Sequence, residues 1–295
     1  PGGLLHFGFR DGITKPSIDW NETGAAAPDS INLRQVITGY PSEDYPTSPR
    51  FPGVWQDFAR EGSFACLTWL HQNVAKFNAF LRENADQAKT YSGDADPQEW
   101  LAAKLMGRWR NGTPLALNPV EQPESVNLNN DFGYADDPTG LKCPVTAHIR
   151  IVNARDQGLT FPNQVRFPPG GVVPRLVRRG FSYGKPLQTV EDDLQDRGLV
   201  GFFFCARVNE QFYTILRWMQ QTEFSDVFDQ IPDGSRRQDA LFGNRSTPHS
   251  NPNFHVPHGQ LPPLSLKLAD FIRYRGVAVL FAPGLKSLKL LAADN

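Results

Sequence analysis

A carboxylate bracketed by two glycines comes first among the residues that could do chemistry: Gly8-Phe9-Arg10-Asp11-Gly12, continuing into Ile13-Thr14-Lys15-Pro16. Leu4, Leu5, Phe7 and Phe9 lead into it, so the stretch reads as a strand ending at a tight turn, and Pro16 keeps the chain from entering a helix. That turn presents Asp11 at a strand end, where backbone can approach a flat ligand closely. An Asp-Gly pair is also ordinary turn chemistry. His6 lies near enough in sequence to face the same cavity. A second stretch runs Cys143-Pro144-Val145-Thr146-Ala147-His148-Ile149-Arg150. Its alternation predicts a short strand over 146–152 with Thr146, His148 and Arg150 on one face. His249, His255 and His258 fall in a polar, proline-rich loop that reads as solvated, with an adventitious metal site as the alternative. Cys66, Cys143 and Cys205 are widely spaced among apolar residues and form no Cys-x-x-Cys pair. They read as buried free thiols rather than a zinc or iron–sulfur site.

Regular elements must hold these groups in place. Ser63 to Leu70 has a strand pattern, and the following helix puts Val74, Phe77, Phe80 and Leu81 on one face. A second helix starts at Pro97 and carries Trp100, Leu101, Leu105 and Trp109. Residues 111–142 read as polar loop. Leu176 to Arg179 leads to a turn at Gly180, and the apolar run Gly198 to Ala206 reads as a central strand. A helix over about 210–221 then turns Phe212, Ile215, Leu216 and Met219 inward, 232–263 reads as loop, and Gly276 to Ala282 is the last strand. The tract from Pro16 to Gly53 is proline-rich loop with one short strand at 31–37. Strand–helix, strands, then strand–helix–strand is the order of an α+β sheet with helices packed on one face.

Composition narrows the function classes. A chain of 295 residues with 40% apolar and 21% charged side chains can bury a substantial core. Its formal net charge of −1 leaves no basic excess to neutralise phosphates, which argues against nucleic acid and against anionic membrane surfaces. No apolar run approaches the ~18 residues of a membrane span. The sequence leaves the compartment unknown, with a lean to a soluble cytoplasmic protein and secretion still open. Three glycosylation sequons, at Asn21, Asn111 and Asn244, do not settle it.

Three segments together carry a family resemblance. Gly8-Phe9-Arg10-Asp11-Gly12 resembles the Gly-x-x-Asp-Gly signature of the dye-decolorising peroxidases, which are haem enzymes. Cys143 to Arg150, running on to Asn153-Ala154-Arg155, is similar to their proximal-histidine segment. Arg178-Arg179-Gly180-Phe181-Ser182-Tyr183-Gly184 resembles the segment of their distal arginine. The three occur in the family's order, and the resemblance covers nearly all of the chain. It implies a b-type haem whose iron is ligated by His148, with Asp239 of Gln238-Asp239-Ala240-Leu241-Phe242-Gly243 as the acid behind that histidine. Asp229 and Asp233 are runners-up. It makes Asp11 the distal acid–base and Arg178 the fixed distal charge, with Arg179 the rival. Arg155 is assigned to a haem propionate and Phe203 to the distal wall. Trp218, Tyr213 and Tyr183 are candidate electron relays.

The family's fold is a pair of ferredoxin-like units, so the resemblance implies antiparallel sheets with helices on the outer face, of the dimeric α+β barrel type. Residues 1–16 are then the tail of an N-terminal unit, 17–60 a linker and 61–295 the haem-binding unit. Family members carry a long segment before the first motif, whereas seven residues precede Gly8 here. The chain is therefore expected to be the C-terminal part of a longer protein, with a second polypeptide supplying the missing region. The implied partners are hydrogen peroxide and an aromatic or dye reductant, and homo-oligomerisation is left open. Two other readings stand beside the peroxidase: a haem-free ferredoxin-like structural or binding subunit, and a haem-handling protein.

Overall fold

The computed structural model describes residues 3–21, 30–41, 54–157, 173–220, 238–246 and 252–293. In chain order the elements are β1 (Ile18–Asp19), β2 (Ile31–Asn32), α1 (Val54–Ala59), β3 (Ser63–Gln72), α2 (Val74–Glu83), α3 (Ala85–Ser92), α4 (Pro97–Met106), α5 (His148–Val152), β4 (Val177–Tyr183), β5 (Gly198–Cys205), α6 (Thr214–Gln220), β6 (Asn253–Val256), β7 (Leu264–Lys267), β8 (Ile272–Ala282) and α7 (Leu285–Ala293). A π-helical turn at Val208–Tyr213 runs straight into α6.

Four strands form one sheet in the order β4-β5-β3-β8, every neighbouring pair antiparallel. Helices α2–α5 lie in the connection from β3 to β4, and α6 in that from β5 to β8. Chain order and sheet order together make a ferredoxin-like split β-α-β arrangement. The fold is α+β, and the described strands do not close into a barrel. Strand alternation gives the sheet two unlike faces. One carries Cys66, Thr68, Leu70, Phe203 and Leu199 towards the helices, with Cys66 and Leu70 buried. The other leaves Trp69, Phe181 and Leu280 exposed.

Local chemistry sets the helix ends. Asp96 accepts hydrogen bonds from the Gln98 and Glu99 amides, Pro97 occupies the first turn, and Gly107 closes α4 in the left-handed conformation at φ 92°. Asn73 caps α2 by accepting from the Lys76 amide. The apolar faces of α2 and α4 then meet Phe7, Phe9, Phe254 and Phe271 in the main core. Phe77 is its hub, stacked on Phe7 at 4.4 Å and edge-on to Phe271 at 5.4 Å.

Several sequence expectations change. The Gly8 segment is no strand: it is a turn tied by one bridge between Leu4 and Arg10. Its phenylalanines are spent on the α2 core instead of a sheet. Gly180 is no turn either, because β4 runs through it and pairs Gly180 with Gly201. The 232–263 loop contains β6, which pairs with β7 and buries Phe254 and Val256. His255 lies on β6, His258 in the turn beyond it, and His249 outside the described residues. Residues 31–37 form a two-residue bridge and a short 3-10 turn. The largest change is at 146–152, where the expected strand is the helix α5.

Candidate active site

Asp11 is held by a compact loop. The Leu5 amide donates to Phe9 O and the Gly8 amide to Leu5 O, both at 2.8 Å. Gly8 sits at φ 84°, where a Cβ would also strike the Arg110 guanidinium at 2.5 Å, so only glycine fits this turn. Arg110 lies over the Phe9 ring at 5.7 Å and clamps the loop from outside. Asp11 emerges from it as the acceptor of a hydrogen bond and ion pair from Arg178 Nη2. The sheet register puts Arg178 of β4 opposite Phe203 of β5, itself opposite Cys66 of β3. His6 is turned away from Asp11, donating through Nε2 to the Tyr183 carbonyl at 2.7 Å.

His148 opens α5. Its Nδ1–H donates to Asp239 Oδ2 at 2.8 Å, which leaves Nε2 with its lone pair. Asp239 is fully buried. Its other oxygen, Oδ1, accepts from the Leu241 and Phe242 amides at 2.8 and 2.9 Å. Arg245 donates to the Asp239 and Ala240 carbonyls, and the Ala240 amide donates to Thr146 O, so the two segments are stitched together. Phe242 stacks on the imidazole, ring centroids 4.8 Å apart and 19° between planes. Asp229 and Asp233 lie outside the described residues.

The helix at 148–152 explains a side-chain separation that alternation would not give. Two residues along a helix point to different sides, whereas two along a strand share one. His148 therefore borders the cavity while Arg150 is fully buried. Arg150 donates to Asp137 Oδ2, Asp137 O, Cys143 O and Gln157 Oε1 and lies over the Tyr134 ring at 4.6 Å. Gly107 lets α4 come close, since a Cβ there would stand 2.4 Å from Ile149 Cγ1. A five-residue helix of sequence His-Ile-Arg-Ile-Val has little intrinsic stability. These tertiary contacts hold it.

One cavity of about 650 Å³ joins the two groups, lined by Asp11 and Arg178 and by His148. Phe203, Arg155 and Arg179 also border it. Across the sheet wall, Gly180, Gly201 and Thr68 stand side by side, and all three line the cavity. Paired glycines leave a smooth depression there. A Cβ on Gly201 would sit 2.8 Å from the Phe203 ring and 3.0 Å from Thr68 Oγ1. Thr68 Oγ1 and Gln72 Oε1 are buried on this wall without a hydrogen-bond partner among the described residues. Burial raises the pKa of Tyr274, with the Asp239 charge reinforcing it, so this lining phenol stays neutral. The relay candidates differ in setting: Trp218 is buried, Tyr213 is exposed, and half-buried Tyr183 meets exposed Trp69 edge-on at 6.1 Å.

Sequence reasoning missed Phe242 and the Gly180–Gly201 pair. Phe242 was in view beside Asp239, but no spacing rule tells a loop aromatic that it will stack on a distant imidazole. The glycine pair becomes legible only once β4 and β5 are in register.

No family model matches the chain. It is 28% identical to "Peroxidase 2" of Mycetinis scorodonius, a match covering 97% of this chain and 56% of the relative. It is also 28% identical to the dye-decolorizing peroxidase AauDyP1 of Auricularia auricula-judae, covering 96% of this chain and 55% of that protein. The chain thus spans a little over half the length of the curated relatives it matches. Among solved structures, a dye-decolorizing peroxidase in complex with 2,6-dimethoxyphenol superposes with a TM-score of 0.76 at 24% identity, over 98% of this chain and 64% of that one. A point mutant of the decolorizing peroxidase from Auricularia auricula-judae gives 0.71 at 25% identity, over 98% and 64%.

Proposed function

We propose that this chain, a relative of the dye-decolorising peroxidases along nearly its whole length, binds one b-type haem and uses hydrogen peroxide to oxidise aromatic compounds and dyes in one-electron steps. The observation that carries the reading is one cavity bordered by both an Asp–Arg pair and a His–Asp pair. In this reading 61–295 is the haem-binding unit, 17–60 a linker and 1–16 the tail of a further unit.

The residues fit the group. A cavity of about 650 Å³ with a smooth glycine floor suits a large flat ligand. A buried carboxylate behind Nδ1 leaves the His148 Nε2 lone pair free, so His148 would be the residue to hold the iron. Bound there, a haem would supply the two-electron reduction of peroxide and the later one-electron oxidations. Asp239 fixes the histidine tautomer and strengthens its donation, and the stacked Phe242 restricts ring rotation. Asp11 takes a proton from one peroxide oxygen and returns it to the other. Arg178 keeps a non-titrating positive charge beside that transfer.

Absorption spectroscopy of the purified chain tests this. The expected result is a strong Soret band that shifts on adding peroxide and is lost in His148→Ala. A folded chain that stays colourless with added haem rules the reading out and favours a binding subunit. A Soret band indifferent to peroxide favours a haem-handling protein.

A further inference from the structure

Two of the three free cysteines are neighbours, and the chemistry proposed above uses neither. The register of β3 with β5 sets Cys66 opposite Phe203 and Cys205 opposite Phe64. Cys205 stands two residues beyond Phe203, so strand alternation puts both thiols on one face, in diagonal positions. They interact directly: the Cys205 S–H donates to the Cys66 sulfur, while the Arg207 and Phe212 amides donate to the Cys205 sulfur. That hydrogen bond lowers the pKa of Cys66 against the opposing effect of burial, and it raises that of Cys205. The pair is therefore asymmetric, with Cys66 the thiol that ionises first.

Both thiols are fully buried, in a small core with Phe212 that Phe203, Leu176 and Leu216 flank. These four residues also line the cavity, so the sulfurs lie one layer of side chains behind its wall. Phe203 and Phe212 meet there with ring centroids 5.6 Å apart. Cys205 ends β5 just before the π-helical turn that carries Phe212, an irregularity of a kind that recurs at functional sites. Cys143 differs on every count. It belongs to the main core, is absent from the described cavity lining, and donates to the Pro144 carbonyl at 3.9 Å.

We propose that Cys66 and Cys205 are a reversible redox pair, a dithiol that hydrogen peroxide converts into a disulfide between β3 and β5. The Cys66 thiolate attacks one peroxide oxygen, the O–O bond breaks, and hydroxide leaves and takes up the thiol's proton as water. Cys66 is then a sulfenic acid. The Cys205 sulfur attacks the Cys66 sulfur, the S–O bond breaks, and the hydroxyl leaves as water with the Cys205 proton. Two thiols lose two electrons, one peroxide gains them, and two waters form. Diagonal positions lie near the upper limit of disulfide reach, so closing the bond pulls the two strands together. A bridge closed under strain is readily reduced, which makes the pair reversible. Cys66 shares a row across the sheet with Phe203 and Arg178, so closure bears on the segment that holds Arg178 beside Asp11.

The test treats the folded, reduced full chain with a molar excess of hydrogen peroxide, quenches it, unfolds it and alkylates it with N-ethylmaleimide. Intact mass and peptide mapping read the result, and neither depends on bound haem. The untreated chain should carry three adducts, one per cysteine. After peroxide only Cys143 should be labelled, a linked Cys66–Cys205 peptide should appear, and dithiothreitol should restore all three adducts. In Cys66→Ser the Cys205 label should survive peroxide, because the sulfur that attacks first is gone. Three adducts on the parent after peroxide overturn the pair and leave two thiols that only pack. Oxygenated sulfur without a linked peptide overturns it as well. Loss of the Cys205 label in Cys66→Ser as complete as in the parent does the same.

Discussion

Asp11 and His148 each depend on a partner far away in sequence: Arg178 is 167 residues from Asp11, and Asp239 is 91 from His148. In the proposed reading each pair divides its labour, one member serving the cavity chemistry and the other fixing its charge or tautomer. Asp11→Asn should keep haem bound while slowing the reaction with peroxide by ~10²- to 10⁴-fold, the usual worth of a general acid–base. Stopped-flow mixing measures this, with Arg178→Leu run beside it. A parental rate in Asp11→Asn and a slow one in Arg178→Leu would transfer the main distal role to the arginine. Asp239→Asn removes the charge behind the imidazole, so donation through Nε2 weakens and the ferric state loses support. The expected result is a raised reduction potential with haem retained, read by spectroelectrochemistry; an unchanged potential would separate Asp239 from the iron. Short motifs pointed to all four residues, and the resemblance already set Asp239 behind His148; the direct contact of Asp11 with Arg178 was not legible in them. A hydrogen bond spanning ninety or more residues depends on the register of β4 with β5 and on the seam between Thr146 and Ala240.

The elements show where pattern reading reaches its limit. Strand–helix order announced the α+β class because β3, β5 and the second half of β8 are apolar runs that read as strands whichever face they bury, although β8 itself stays largely exposed. Residues 146–152 alternate as a strand should, and still fold as α5, because Arg150 gains four hydrogen-bond acceptors at its end and Ile149 gains a close seat on Gly107. Tertiary contacts override a weak local preference. Gly107→Ala is therefore expected to cost about 2 kcal/mol, combining a left-handed backbone with overpacking against Ile149. Gly93→Ala is the control: its φ is 60°, but a Cβ there would meet nothing within 4 Å. Denaturant midpoints should fall further for Gly107→Ala than for Gly93→Ala. Equal losses would mean that close packing of α4 on α5 contributes nothing.

Across the whole molecule, charge is distributed unevenly between inside and outside. Lys104 is almost fully buried, donating to Lys142 O at 2.8 Å, and burial lowers its pKa from 10.5 to about 8. The unfolded chain therefore binds more protons at this site between those values, so stability should rise with pH across that window. Burial raises Cys143 to about 11, which acts in the opposite sense above pH 9. Between pH 7 and 9 the Lys104 contribution should amount to about 1 kcal/mol of added stability. Urea unfolding of the parent against Lys104→Met checks it: the parent should gain on the variant as pH rises, and parallel curves would refute the assignment. The cavity poses the reverse problem of cations gathered in one place. Among the described residues seven Arg or Lys side chains and one carboxylate stand on that wall, and the remaining positions of the sequence hold 23 basic and 30 acidic side chains. Such a body acts as an electrostatic lens: an anion is pushed off the flanks and drawn to the mouth, while a cation finds the flanks welcoming and the mouth closed. Salt would blur that lens within a Debye length of about 8 Å, so capture of an anionic ligand should slow as ionic strength rises and capture of a neutral one should not.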